Sequence, residues 1–220
     1  MTPDPPAPPR LPPARLLLVR HGESTWNRLH RIQGQLDPPL SELGRKQAQL
    51  LARRLAVQGP RVLYTSDLRR AAETAAPIVE LTGIEPRTIP ELREIFLGEW
   101  EGLQTEEVGQ RFPDAWARWT DEPSWDLVPG GEGGAAFEAR VGAALERIFD
   151  EHPHEEVVVV THGGVVQIAL HGVVGRPSRG FFPFRIANAS ISIIEKRGGR
   201  MVIDRVNDVG HLEAPTAVAD

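Results

Sequence analysis

At 220 residues the chain has the size of one domain with a substantial core. Its net charge of −5 argues against general nucleic-acid binding, and the absence of cysteine excludes a disulfide framework and thiolate catalysis. No apolar run approaches the roughly 20 residues that span a bilayer, and the Pro-rich start lacks the apolar core of a signal peptide, so no membrane partner and a cytoplasmic location are expected.

Residues 1–13 hold seven prolines (Pro3, Pro5, Pro6, Pro8, Pro9, Pro12, Pro13), which predicts a disordered, extended tail. Residues 14–212 read as a single body without repeat or linker, and 213–220 as a flexible C-terminal tail. A strand over 15–20 carries the run Leu16-Leu17-Leu18-Val19 and ends in Arg20-His21-Gly22. Ser41 is placed to cap a helix over 42–57, with Leu43, Leu50, Leu51 and Leu55 on one stripe. A short strand over 61–65 precedes a helix over 67–81, with Ala71, Ala72, Ala75, Ile78 and Val79 facing inward and a bend at Pro77. Residues 85–89 read as a further strand, and 96–131 as an irregular stretch rich in Trp, Gly and Pro. A helix over 133–150 shows Phe137, Val141, Leu145 and Ile148 at helical spacing. The strand Val157–Thr161 follows, ending in His162-Gly163-Gly164, and then a helix over 164–174. Residues 191–195 and 201–206 flank Gly198-Gly199 and read as a hairpin at the sheet edge. This alternation predicts a three-layer α/β/α sandwich with a mostly parallel central sheet.

Two strands each deliver a histidine before a glycine turn, at the carboxyl end where open α/β sheets bind ligands. An isolated strand-end His-Gly is ordinarily a structural histidine held by a backbone carbonyl; the second copy points instead to one site built from both. A neutral imidazole is a competent nucleophile near pH 7. Arg20 supplies a fork of donors for phosphate or carboxylate, Gly22 lets backbone approach a ligand, and Asn27 offers a neutral donor. Gln33 and Gly34 either line the pocket entrance or form plain loop. A metal held by His21 and His162 lacks a clear third ligand and sits beside arginine.

Arg20-His21-Gly22-Glu23 resembles the R-H-G motif of the histidine phosphatase superfamily, the phosphoglycerate-mutase-like proteins. Ser66-Asp67-Leu68-Arg69-Arg70-Ala71-Ala72-Glu73-Thr74-Ala75 is similar to that family's S-x-L-x-R-A-x-x-T-A stretch. Leu92-Arg93-Glu94-Ile95 with Gly98-Glu99-Trp100-Glu101-Gly102 resembles its L-R-E…G-x-x-E-G segment, Pro129-Gly130-Gly131-Glu132 its P-G-G-E turn, and Thr161-His162-Gly163-Gly164 its second histidine motif. The five stretches occur in family order, so their joint weight is far above that of any one. The resemblance implies a metal-independent phosphomonoesterase without cofactor. His21 would be the phosphorylated nucleophile, and Arg20, Arg70 and His162 would grip the phosphoryl oxygens. Asn27 and Gly163 would stand around the same substrate, with Gln33 and Gly34 at the entrance where they are not plain loop. Glu94 would be the acid that protonates the leaving alcohol and then the base that activates water. The implied partner is a small-molecule phosphate ester, with a homodimer left open.

The 96–131 stretch is expected to be a cap that sets substrate size. Its Trp100, Trp116, Trp119 and Trp125 either form a satellite core or face the pocket and favour an apolar substrate. Two other functions compete: a phosphoglycerate mutase, and an idle phosphate-binding module. Mutases resembling this family carry a Lys where this chain has Gln104-Thr105, an Arg-Arg pair where it has Arg118 alone, and Asn-Ser where it has Gly164-Val165. An idle module is disfavoured because Arg20, His21, Arg70, Glu94 and His162 are all present.

Overall fold

The computed structural model describes residues 11–178, 180 and 183–213. Tail residues 1–10 and 214–220 therefore lie outside the described residues. In chain order the elements are β1 (Ala14–Arg20), α1 (Thr25–Arg28), α2 (Glu42–Gln58), β2 (Val62–Thr65), α3 (Arg69–Thr82), β3 (Arg87–Thr88), α4 (Thr105–Arg111), α5 (Pro113–Asp121), α6 (Gly134–Glu151), β4 (Glu156–Thr161), α7 (Gly163–Val174), β5 (Ile191–Arg197) and β6 (Arg200–Asp208).

The strands form one six-stranded sheet in the order β3-β2-β4-β1-β5-β6. The first four run parallel, and the β5–β6 hairpin adds on antiparallel beside β1. Side chains alternate across a strand, and here each face has its own core. Leu16, Leu18, Val157 and Val159 pack with Phe137, Val141, Leu145, Val165 and Leu170 from α6 and α7. Leu17, Val19, Val158 and Val160 pack with Leu51, Leu55, Ala71 and Ile78 from α2 and α3. A mostly parallel sheet covered by helices on both faces is the three-layer sandwich that the alternation predicts.

The helical stripes differ in detail. On α2 the buried residues are Gly44, Ala48, Leu51, Ala52 and Leu55, while Leu43 and Leu50 are exposed. Gly44, Ala48 and Ala52 let this helix lie close to its neighbours, so Leu51 and Leu55 share the inward face with small residues while Leu43 and Leu50 turn outward. On α3, Ala72 is exposed; Arg70, Ala71, Thr74, Ala75 and Ile78 face inward. The polar Arg70 and Thr74 displace the expected stripe because the site needs them. The helix continues through Pro77. The strand expected over 85–89 is only the two-residue β3.

Residues 96–131 are more ordered than their composition suggests. They hold α4 and α5 between two short 3-10 turns at Gly98–Trp100 and Trp125–Leu127. The Glu107 carboxylate accepts the Gln104 N–H, and Pro113 sits in the first turn of α5. Trp100 packs edge-on against Trp116 and Trp119, with ring centroids 5.9 and 5.3 Å apart, and Trp119 lies 5.0 Å from Trp125. These rings join the core on the α6/α7 face, so the packing role is the one observed.

Candidate active site

The pairing register builds the site. Arg20 lies opposite Thr161 in the parallel β1–β4 ladder, so the next residue of each strand is a histidine. The His21 N–H donates to the Thr161 carbonyl at 2.9 Å, and the two imidazoles sit 5.2 Å apart, both buried. His21 Nδ1 lies 2.6 Å from the Gly22 carbonyl oxygen. A carbonyl can only accept, so Nδ1 carries the proton and Nε2 keeps the lone pair. Burial, then Arg70 and Arg20, hold His21 well below the usual histidine range. The same burial, with Arg70, His21, Arg20 and Arg140, holds His162 well below it. Both rings are neutral at pH 7.

Gly22 is also needed for packing. A Cβ there would meet the Gly44 carbonyl oxygen at 2.6 Å, and one on Gly44 would collide with the Glu23 backbone. The paired glycines let the loop after β1 press against the start of α2. Ser41 Oγ accepts the Gly44 N–H at 3.0 Å and donates to Glu23 Oε1 at 2.6 Å, so one hydroxyl caps α2 and ties it to the loop. Thr74 Oγ1 accepts the Gly22 N–H at 3.0 Å.

Arg70 is fully buried on α3, without a carboxylate partner among the described residues. It donates to the carbonyls of Leu36 at 2.8 Å and Gly34 at 2.7 Å, and its Nε has no partner. Burial, which outweighs the attraction of Glu94 and Asp37, brings it down to about 10. Arg20 donates to the Ile186 carbonyl at 2.6 Å; its Nε is also unpartnered, and burial lowers its pKa against the pull of Glu94. Buried guanidinium donors left open are suited to an oxyanion.

Gly34 thus acts through its carbonyl, and its positive φ of 51° with Glu101 packed against its Cα leaves no room for a side chain. Gln33 Oε1 accepts from Ser24 Oγ at 2.8 Å. Asn27 Oδ1 accepts the Ser24 N–H at 3.1 Å and Asn188 Nδ2 at 3.2 Å. In both amides the oxygen is engaged by protein, which leaves the NH₂ group for a ligand. Gly163 opens α7, and a Cβ there would stand 3.5 Å from Arg20 Nε.

Glu94 Oε2 accepts the Gly164 N–H at 3.1 Å and Oε1 its neighbour Ile95 N–H at 3.0 Å, which sets the carboxylate at the positive end of α7. A Cβ on Gly164 would strike that carboxylate. Thr161 Oγ1 donates to the Leu92 carbonyl at 2.8 Å. Arg140 of α6 bonds the carbonyls of Glu91, Arg93 and Glu94 at 2.8–2.9 Å and is itself held by Glu132.

The site therefore brings together Arg20, His21, Arg70 and His162, with Glu94 and Asn27 braced beside them. The sequence reading misses Asn188, which also bonds the His21 carbonyl at 3.2 Å; Ser66, whose Oγ is 2.9 Å from His162 Nε2; Thr74; and Arg140. Ser66 and Thr74 lie inside a quoted motif, whereas Arg140 carries no sequence signal. Among the described residues no group of three or more His, Asp or Glu side chains is gathered as for a metal ion, and no helix is long and apolar enough to cross a membrane.

The profile of the histidine phosphatase superfamily (branch 1) matches residues 16–209. Phosphoserine phosphatase 1 of Hydrogenobacter thermophilus is 39% identical over 90% of this chain and 94% of its own length. The metal-independent phosphoserine phosphatase of Arabidopsis thaliana is 38% identical over 90% of this chain and 83% of its own. The solved structure of Bacillus stearothermophilus YhfR superposes with a TM-score of 0.83 at 35% identity, covering 91% of this chain and all of the other. The chain belongs to the histidine phosphatase superfamily and is one of its phosphatases.

Proposed function

We propose that this phosphatase hydrolyses small phosphate monoesters without a metal, through a phosphohistidine on His21. The observation that carries the reading is the parallel register that sets two neutral imidazoles 5.2 Å apart beside the buried Arg70 and the half-buried Arg20. His21 Nε2 attacks phosphorus in line with the ester oxygen, and the P–O bond to the alcohol breaks as the N–P bond forms. Arg20, Arg70 and His162 meet the spreading charge on the phosphoryl oxygens, with the Asn27 amide as a neutral donor. Glu94 in its acid form gives its proton to the departing alkoxide. The resulting carboxylate then takes a proton from water, whose oxygen attacks phosphorus and returns His21 with release of inorganic phosphate.

We place this chemistry in the cytoplasm, because phosphorylated metabolites carry charge that keeps them on the side of a membrane where they are made. Hydrolysis is preferred to mutase exchange. Gln104-Thr105 and the lone Arg118 leave the chain without the cations a mutase would use to clamp a second acidic group, and Gly164 adds no side chain to hold one. Rapid quench with labelled substrate tests the reading. A base-stable, acid-labile label should form in the presence of EDTA and vanish in His21→Ala, and phosphate release should outrun interconversion of 2- and 3-phosphoglycerate. Label on a serine, or activity lost to EDTA and restored by Zn²⁺ or Mg²⁺, would overturn it.

A further inference from the structure

Ser66, a side chain outside the phosphoryl-contacting set, pairs with His162. Both residues are fully buried. Ser66 follows β2, and His162 follows β4, the strand next to it in the sheet. Ser66 Oγ lies 2.9 Å from His162 Nε2 and accepts the Leu68 N–H at 3.3 Å. His162 Nδ1 is buried without any hydrogen-bond partner, on a ring whose neighbour is His21.

A hydroxyl has one proton and two lone pairs. One lone pair of Ser66 is taken by Leu68, and the one acceptor among its described hydrogen bonds is His162 Nε2. The hydroxyl proton therefore points at that nitrogen, which must hold its lone pair toward Ser66. A neutral imidazole has one N–H, so its proton is forced onto Nδ1. The opposite tautomer would strand the Ser66 proton and turn a lone pair, not a donor, toward an incoming anion. A buried unpartnered donor beside two guanidiniums is a ready place for a phosphoryl oxygen.

We infer that Ser66 is a positioning residue that fixes His162 as the Nδ1–H tautomer, converting a neutral histidine into a dedicated phosphoryl donor. The inference rests on the proposed phosphatase reading for its purpose but not for its geometry. It also separates the roles of the two histidines. A backbone carbonyl orders His21 to leave Nε2 free as a nucleophile; a side-chain hydroxyl orders His162 to leave Nδ1–H free as a donor.

The test is long-range ¹H–¹⁵N spectroscopy of histidine-labelled protein near pH 7, with His162→Ala used to assign the ring. Wild type should show a protonated Nδ1 and an unprotonated Nε2. Ser66→Ala should lose that preference and lower kcat for p-nitrophenyl phosphate about ten- to a hundred-fold, at or below the range for removing one transition-state donor outright. Vanadate binding should weaken with it, while Ser66→Thr, which keeps the hydroxyl, should keep the wild-type tautomer. A wild-type proton on Nε2 overturns the inference, as does a folded Ser66→Ala with unchanged tautomer and kcat. If Ser66→Ala does not fold, the wild-type spectrum alone decides. Absence of phosphatase turnover in wild type with Nδ1 protonated would overturn the functional reading and leave the tautomer assignment standing.

Discussion

His21 stays neutral because burial and two guanidiniums oppose its charged form, and that fixes the acid side of the activity profile. The nucleophile must be unprotonated, so activity should persist well below pH 6.5, the ordinary histidine value, instead of halving there. On the alkaline side, with p-nitrophenyl phosphate, whose leaving group needs no proton from Glu94, Arg70, lowered to about 10, gives up its charge as pH rises through that value, and kcat/KM should fall with it. A pH–rate profile from 4 to 11 checks both limbs; an acid limb centred near 6.5 would contradict the buried, arginine-flanked imidazole. Glu94 gives a second expectation. Glu94→Gln keeps the bond from the Gly164 N–H but cannot donate a carboxyl proton. Alkyl phosphates should lose about 10²–10⁴-fold in kcat, and p-nitrophenyl phosphate, whose leaving group needs no proton, much less. Equal losses on both would remove Glu94 from the acid role.

The strands, their order along the chain and the two histidines were legible because Leu16–Val19 and Val157–Val160 are long apolar runs that end in chemistry-bearing residues. The helical faces were less so. Periodicity ranks Leu43 and Ala72 by hydrophobicity, but the close packing of α2 selects Gly44 and Ala48, and the site claims Arg70 and Thr74 on α3. Helices α4 and α5 were hidden in a stretch whose Pro and Trp content reads as loop. Arg140 was invisible because, besides Glu132, its partners are backbone carbonyls 46 to 49 residues away in sequence, which no local pattern records. It staples the Glu94 segment to α6. Its guanidinium carbon lies 4.8 Å from the centre of the Phe137 ring, and Arg140→Met keeps bulk there while removing those bonds. We expect about 2 kcal/mol of lost stability and a Tm lower by roughly 4–8 °C. Alkyl phosphate turnover should suffer more than p-nitrophenyl phosphate turnover, because the acid is what loses its brace. An unchanged ratio between the two substrates would show that Glu94 does not depend on this arginine.

For the molecule as a whole, the two buried histidines couple folding to pH. In the unfolded chain each takes up a proton near pH 6.5; in the folded chain neither does until well below that. As pH falls through 6.5 the unfolded state binds more protons, so stability is full above that value and declines on acidification. Asp67, lowered by Arg93, and Asp208, lowered against the opposing effect of burial by the Gly210 N–H with Arg205 and Arg54, act in a separate window below about pH 4. Calorimetry should give a lower Tm at pH 5 than at pH 7.5, with a smaller difference in His162→Gln; a pH-independent Tm over this interval would contradict neutral burial. The tryptophan chain has an optical consequence. Four of the five indoles lie in one segment, packed edge-on or tilted with 5.0 to 5.9 Å between neighbouring ring centroids. At such spacing their excited states couple and exchange energy. The near-ultraviolet circular dichroism of this protein is therefore dominated by a single neighbourhood, residues 100 to 125, and supplies a label-free optical gauge of that segment's packing.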